Sequence, residues 1–148
     1  MPGTFSNLTY HVVFSTSNRL PLIVADTAEP LHAYLGGVVK GVEGTPLAVG
    51  GMPDHVHLVV GIPTKLAIAD VVRAVKSSSS KWMNDNNPAA KFGWQRGYGA
   101  FTVSHSQVPR VVEYVSRQEE HHRTRSFTHE FAMLLRRHRI DFDDRFLP

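Results

Sequence analysis

Two histidines separated by one residue, in Met52-Pro53-Asp54-His55-Val56-His57-Leu58-Val59-Val60, are the clearest candidates for metal or acid–base chemistry in this chain. The run is β-branched and apolar, which predicts a strand. Strand side chains alternate between faces, so His55 and His57 project the same way while Val56 and Leu58 enter the opposite layer. With a rise of ~3.4 Å per residue the two imidazoles stand about 7 Å apart along that face, close enough to converge on one ion. Imidazole suits several divalent metals. The same pattern also fits two surface histidines, or one satisfied by a backbone carbonyl in a mixed core. Further along, Tyr114 and Gln118 are four residues apart, which on a helix places both on one flank of the stripe made by Val111, Val112 and Val115. A tyrosine at such an edge can attack phosphorus and leave a covalent phosphotyrosine. A half-buried packing tyrosine beside a solvated glutamine satisfies the pattern too. The sequence has no cysteine and nine histidines. Thiolate nucleophiles, thiolate metal sites and disulfide frameworks are therefore excluded. Ser104-His105-Ser106 has the composition of a hydrolase dyad, but neighbours on a strand face opposite ways.

The elements that must position these groups follow from periodicity. Residues 8–15 read as a first strand. Residues 27–42 form a helix whose apolar positions are Leu31, Leu35, Val38, Val39 and Val42, with Pro30 expected in its first turn. Residues 46–49 and 55–62 read as an antiparallel pair around Gly50-Gly51-Met52-Pro53-Asp54. Residues 67–84 form an amphipathic helix and 94–104 a glycine-kinked strand. A third helix follows Pro109 and runs towards Arg125. Residues 127–139 form a fourth, and an irregular tail ends the chain. The order predicts an α+β fold with a ferredoxin-like or RRM-like antiparallel sheet, β-α-β-β-α-β, plus C-terminal helices. Helices on one face would leave the other open for a partner or a dimer. At 148 residues, one core and a single domain spanning 1–148 are expected.

Lys plus Arg number 16 against 13 Asp plus Glu, a formal charge of +3 that permits a nucleic-acid partner without demanding one. Arg73, Lys76 and Lys81 on the second helix and Arg123 and Arg125 near the C-terminus, with Arg136, Arg137 and Arg139, are candidates for DNA phosphate contacts. Trp94, Tyr98 and Phe101 are candidates for base stacking, or for packing. His121 and His122 read as polar helix residues. No run approaches the ~20 apolar residues of a membrane span, and the N-terminus lacks the pattern of a signal peptide, so a cytoplasmic protein without a membrane partner is expected.

The chain resembles the single-tyrosine HUH transposases of small bacterial insertion sequences, including relatives associated with repetitive extragenic palindromes (REPs). The residues that carry the resemblance are Met52-Pro53-Asp54-His55-Val56-His57-Leu58, Trp94-Gln95-Arg96-Gly97-Tyr98-Gly99-Ala100-Phe101, Tyr114 to Arg123 including Gln118, and the tail Phe142-Asp143-Asp144-Arg145-Phe146-Leu147. The resemblance implies that His55, His57 and Gln118 hold one divalent ion, Mg²⁺ or Mn²⁺. It implies that Tyr114 attacks single-stranded DNA at hairpin-bearing element ends, giving a 5′-phosphotyrosine and a free 3′-hydroxyl that can rejoin strands. It further implies a homodimer in which the tyrosine helix of one subunit can complete the histidine pair of the other. The polar stretch Ser104-His105-Ser106-Gln107 before that helix can serve as a hinge for such an exchange; a helix packed on its own subunit, with the site made in cis, fits the sequence equally. The alternative is a non-cleaving module that holds hairpin DNA or RNA on an RRM-like sheet.

Overall fold

The computed structural model describes residues 3–122 and 125–147. Its order is β1 (Thr9–Ser15), α1 (Ala25–Gly41), β2 (Thr45–Met52), β3 (His55–Gly61), α2 (Ile68–Asn86), β4 (Gly99–Thr102), α3 (Val108–Ser116), α4 (Gln118–His121) and α5 (Phe127–Arg137), with single 3₁₀ turns between. All strand pairs are antiparallel and the sheet order is β2-β3-β1-β4, the ferredoxin-like arrangement. The register sets Val13 opposite His57 and Ser15 opposite His55, which puts the two histidines at the centre of the sheet.

Alternation divides the sheet into two faces. Val12, Phe14, Val56, Leu58 and Val60 turn to one side, where Leu31, Leu35 and Val39 of α1 and Val71, Val72 and Val75 of α2 complete a buried core. Each such side chain contributes about 1.5–3 kcal/mol by leaving water. Trp94 closes this core edge-on to Phe14 and Phe92, with centroids 4.8 and 4.7 Å away. The main strand reaches only Gly99–Thr102, shorter than the expected 94–104, and Trp94 joins the sheet through one isolated bridge to Thr16. Helix α1 begins at Ala25, so Pro30 lies inside it and forfeits a helical hydrogen bond.

The second face is not open. Helices α3 and α5 cover it, and Phe127, Phe131, Leu134 and Leu135 of α5 form a second core with Val13 and Phe101. An amphipathic helix must bury its apolar stripe, and the uncovered face of the chain's own sheet meets that need. Ser126 caps α5 by accepting a hydrogen bond from the His129 amide at 3.2 Å. The third helix also departs from expectation. It ends at Ser116, and Arg117, at φ −114° and ψ 35°, breaks it before Gln118 opens a short new turn.

Candidate active site

The site grows from the hairpin between β2 and β3. His55 and His57 are fully buried, which removes the surface alternative for both. Their rings meet at a centroid separation of 5.1 Å. The Asp54 carboxylate lies 2.7 Å from His55 Nδ1, and the His55 ring stacks on Phe127 at 4.4 Å. Burial opposes the ionisation of Asp54, but the hydrogen bond with His55 outweighs it and holds the carboxyl below its usual range. His57 Nδ1 lies 2.8 Å from His11 Nε2 on β1, with the rings stacked. Burial, then the neighbouring His57, pushes the His11 pKa down to about 3, so His11 is neutral. Burial likewise lowers His57, although Glu130 pulls the other way.

Helix α3 brings Tyr114 to this pair by lying directly on β2. The contact depends on Gly50, where an added Cβ would sit 2.3 Å from the Val115 carbonyl oxygen. The break at Arg117 turns Gln118 inward until it is 2% exposed. Its amide nitrogen donates to the Tyr114 carbonyl at 3.4 Å, which aims Oε1 at His55 Nε2, 3.0 Å away. The same oxygen is 3.1 Å from His122 Nε2.

Glu130 of α5 joins Tyr114 to His55, His57 and His122, at 1% exposure. Oε1 lies 3.0 Å from His57 Nε2, 3.1 Å from His122 Nε2 and 3.4 Å from His55 Nε2. Oε2 accepts a hydrogen bond from the Tyr114 hydroxyl. Burial disfavours the charged carboxyl, but hydrogen bonds from His122, His57 and Tyr114 overcome it and hold Glu130 far below the usual carboxylate range. Burial first, then the bond and charge of Glu130, pushes the Tyr114 phenol well above its ordinary value. The resting hydroxyl is therefore protonated. For His122 burial opposes protonation, yet Glu130 dominates and raises it.

The donor chemistry fits a cation. His55 Nδ1 faces Asp54 and His122 Nδ1 faces the Arg125 carbonyl at 2.8 Å, both pure acceptors, so each Nδ1 carries a proton. In the neutral imidazoles each Nε2 then turns its lone pair towards Gln118 Oε1 and Glu130 Oε1, and without a metal a second proton on His122 Nε2 bridges to Glu130. Lone pairs converging at 3.0–3.4 Å demand a proton or a metal between them. Ligands about 2.1 Å from an octahedral ion stand ~3 Å apart along each edge, which matches this spacing. His55, His122 and Glu130 offer ligand atoms within 4.8 Å of one another.

Sequence reasoning passed over Glu130 and His122. Both carried a signal: Glu130 falls on the apolar stripe of Phe127, Phe131 and Leu134, where a charge is out of place, and His122 is one helical turn beyond Gln118. The basic candidates disperse. Arg73 pairs with Asp70 at 2.7 Å and Lys81 with Asp85 at 2.6 Å on exposed helix surface. Lys76 donates to the carbonyls of Gln95 and Gly97. Burial lowers its pKa to about 8. Arg125 lines a cavity together with Tyr114 and Glu130. Arg123 falls outside the described residues. Trp94 and Phe101 pack in the two cores, and Tyr98 is exposed. Among the described residues no helix is long and apolar enough to cross a membrane.

Comparison with known proteins gives these residues a context. Residues 4–118 match the family model described as transposase IS200 like. The ISDra2 transposase TnpA of Deinococcus radiodurans is 29% identical over 126 residues, covering 80% of this chain and 89% of that one. The transposase for insertion sequence element IS200 of Salmonella typhimurium is 23% identical over 120 residues, 77% of this chain and 78% of that one. A crystal structure of a Deinococcus radiodurans transposase superposes with TM-score 0.65 at 26% identity, over 80% of this chain and 95% of that one. A REP-associated tyrosine transposase bound to a REP hairpin shares the fold, at TM-score 0.57 and 14% identity over 79% of this chain and 70% of that one. The family match ends at Gln118, so His122 and Glu130 lie beyond it. A matched segment that carries the sheet, the histidine pair and Tyr114 places this chain in the IS200-like transposase family.

Proposed function

We propose that this transposase cleaves and rejoins single-stranded DNA through a 5′-phosphotyrosine on Tyr114, with a divalent ion held by His55, His57 and Gln118. One observation carries this reading: the Tyr114 hydroxyl and the imidazole donors meet on a single buried carboxylate, Glu130. His122 and Glu130 extend the set of donors towards the ion. A mixed nitrogen and oxygen set of this kind suits Mn²⁺ or Mg²⁺. The ion, when bound, would offset negative charge developing on the scissile phosphate and ease ionisation of the phenol.

The chain's own residues do the rest. Asp54 and the Arg125 carbonyl fix the tautomers of His55 and His122, and Gln118 is aimed by the Tyr114 carbonyl. Glu130 holds the Tyr114 hydroxyl by the bond it accepts. In the reaction the Tyr114 oxygen bonds to phosphorus as the bond from phosphorus to the 3′-oxygen breaks. The phenol proton leaves and the departing 3′-oxygen gains one, giving a free 3′-hydroxyl. Attack by a 3′-hydroxyl reverses the step, so joining needs no external energy source.

Both halves of the site come from one chain, which supports assembly in cis whether or not the protein is a homodimer. Hairpin-bearing single strands are the proposed substrate, supported by the fold shared with the hairpin-bound transposase. Arg73, Lys76, Lys81, Arg123 and Arg125 remain proposed phosphate contacts. A non-cleaving RRM-like module is disfavoured, because such modules stack bases on an exposed sheet and here helices cover both faces. The test compares wild type with His57→Ala on labelled strands from both flanks of the gene. Loss of cleavage with hairpin binding retained supports the proposal; equal loss of both contradicts a catalytic role for the histidine.

A further inference from the structure

Between β4, α3 and α5 lies a cavity of about 550 Å³ whose wall of Tyr114, Glu130 and Arg125 belongs to the site above, while its remaining lining has no role there. This is within the ~300–1,000 Å³ typical of small-ligand sites. Its apolar lining includes Phe101, Val111 and Leu134, and the His138 ring stacks on Phe101 at 4.5 Å to wall one side. Arg110, Arg125 and Arg137 also line it. Among the described residues none of the three has a carboxylate within ion-pairing distance, in contrast to Arg73 and Lys81. Tyr114 and Glu130, joined by their hydrogen bond, stand at the same cavity, so its contents lie against the nucleophile.

An apolar, aromatic-walled pocket with unneutralised guanidiniums matches a ligand that has a flat ring and an anionic chain. A neutral apolar ligand leaves the arginines without purpose, and a bare anion leaves the aromatic wall without one. We infer that the cavity takes one nucleoside of the single strand, that which flanks the scissile phosphate, with its base among Phe101, Val111 and Leu134 and its neighbouring phosphates facing the arginines. Stacking on aromatic rings tolerates any base, and guanidiniums hold phosphates through paired hydrogen bonds. Seating that nucleoside fixes its attached phosphate relative to the Tyr114 hydroxyl, the kind of positioning that accelerates an in-line attack. This inference rests on the proposed strand-cleaving function and names a subsite for it.

The experiment uses Tyr114→Phe protein with chelator, so that binding is read without cleavage. Anisotropy of a fluorescein-labelled twelve-thymidine strand is compared for the parent, Val111→Trp, which fills the cavity, and Arg110→Gln, which spares the apolar lining. A strand of iodo-deoxyuridine is cross-linked by ultraviolet light and the attachment mapped by mass spectrometry. The inference predicts attachment to the peptides bearing Phe101 or Met133, both of which line the cavity, its loss in Val111→Trp, and affinity lowered about 5- to 150-fold there, the range for one stacked base. Arg110→Gln should weaken both the normal strand and an abasic strand. An abasic strand bound as tightly as the normal one overturns the base pocket, as does cross-linking confined to other surfaces. A Tyr114 protein that forms no adduct with metal while the cavity cross-link persists would refute the cleavage reading and leave the subsite standing.

Discussion

Replacing Gly50 with Ala would test whether the backbone of β2 sets the position of the nucleophile. The added Cβ would stand 2.3 Å from the Val115 carbonyl oxygen, and ordinary contact begins near 3.4 Å. Both partners are backbone, so no side chain can turn away. Helix α3 must retreat by about 1 Å at the residue next to Tyr114, and a misplacement of that size costs roughly 100-fold in rate. Overpacking also costs about 1–3 kcal/mol, a melting temperature roughly 2–12 °C lower for a chain of this size. The assay is the rate of covalent adduct formation in excess Mn²⁺, with hairpin affinity and thermal melting alongside. Gly37→Ala is the control: nothing lies within 4 Å of its added Cβ. It is expected to leave the rate unchanged and to stabilise α1 by about 0.5–1 kcal/mol. A Gly50→Ala protein that forms adduct within about threefold of wild type, with unchanged melting, would refute the claim that this close approach positions Tyr114.

Glu130→Gln keeps the shape of the side chain and removes its charge, exchanging charge-assisted hydrogen bonds for neutral ones at a cost of about 2–4 kcal/mol in the metal-free protein. It should also bring the Tyr114 phenol down towards the ordinary tyrosine range, read by ultraviolet titration against Tyr114→Phe; an unmoved titration would contradict the link between the two groups. His11 is held neutral with its pKa near 3, below the unfolded value of about 6.5, so the unfolded chain binds the extra proton and stability declines as pH falls through that window. The loss through His11 should reach ~2 kcal/mol by pH 5 in chelated protein and be absent from His11→Asn, measured by urea denaturation. An identical pH slope in the variant would rule out His11 as the source. Mn²⁺ at a hundredfold excess over its Kd should stabilise the protein by about 3 kcal/mol, and His122→Ala should weaken that Kd. Wild-type response in the variant would remove His122 from the ligand set.

Much of this fold is legible in the residues because strand alternation and helical periodicity are local signals. His55 and His57 share a face by the same rule that sends Val56 and Leu58 to the opposite core. What sequence could not disclose is which face the C-terminal helices choose. That depends on α5 docking against Val13 and Phe101, a long-range contact without a local marker. The open face therefore became a covered one, and Glu130 entered the site from a segment with no recognised motif. The helix break at Arg117 was equally hidden, since neither glycine nor proline marks it. Gln118 still reaches His55, from a new turn and not from the same helix as Tyr114.

In the proposed reaction Tyr114 becomes bonded to DNA. Wild-type protein, incubated with Mn²⁺ and single strands from the flanks of its gene, should yield a denaturation-resistant adduct. Peptide mapping should place a 5′-phosphate on Tyr114, and both chelator and Tyr114→Phe should abolish it. An adduct on another residue, or cleavage that persists undiminished in Tyr114→Phe, would contradict the account.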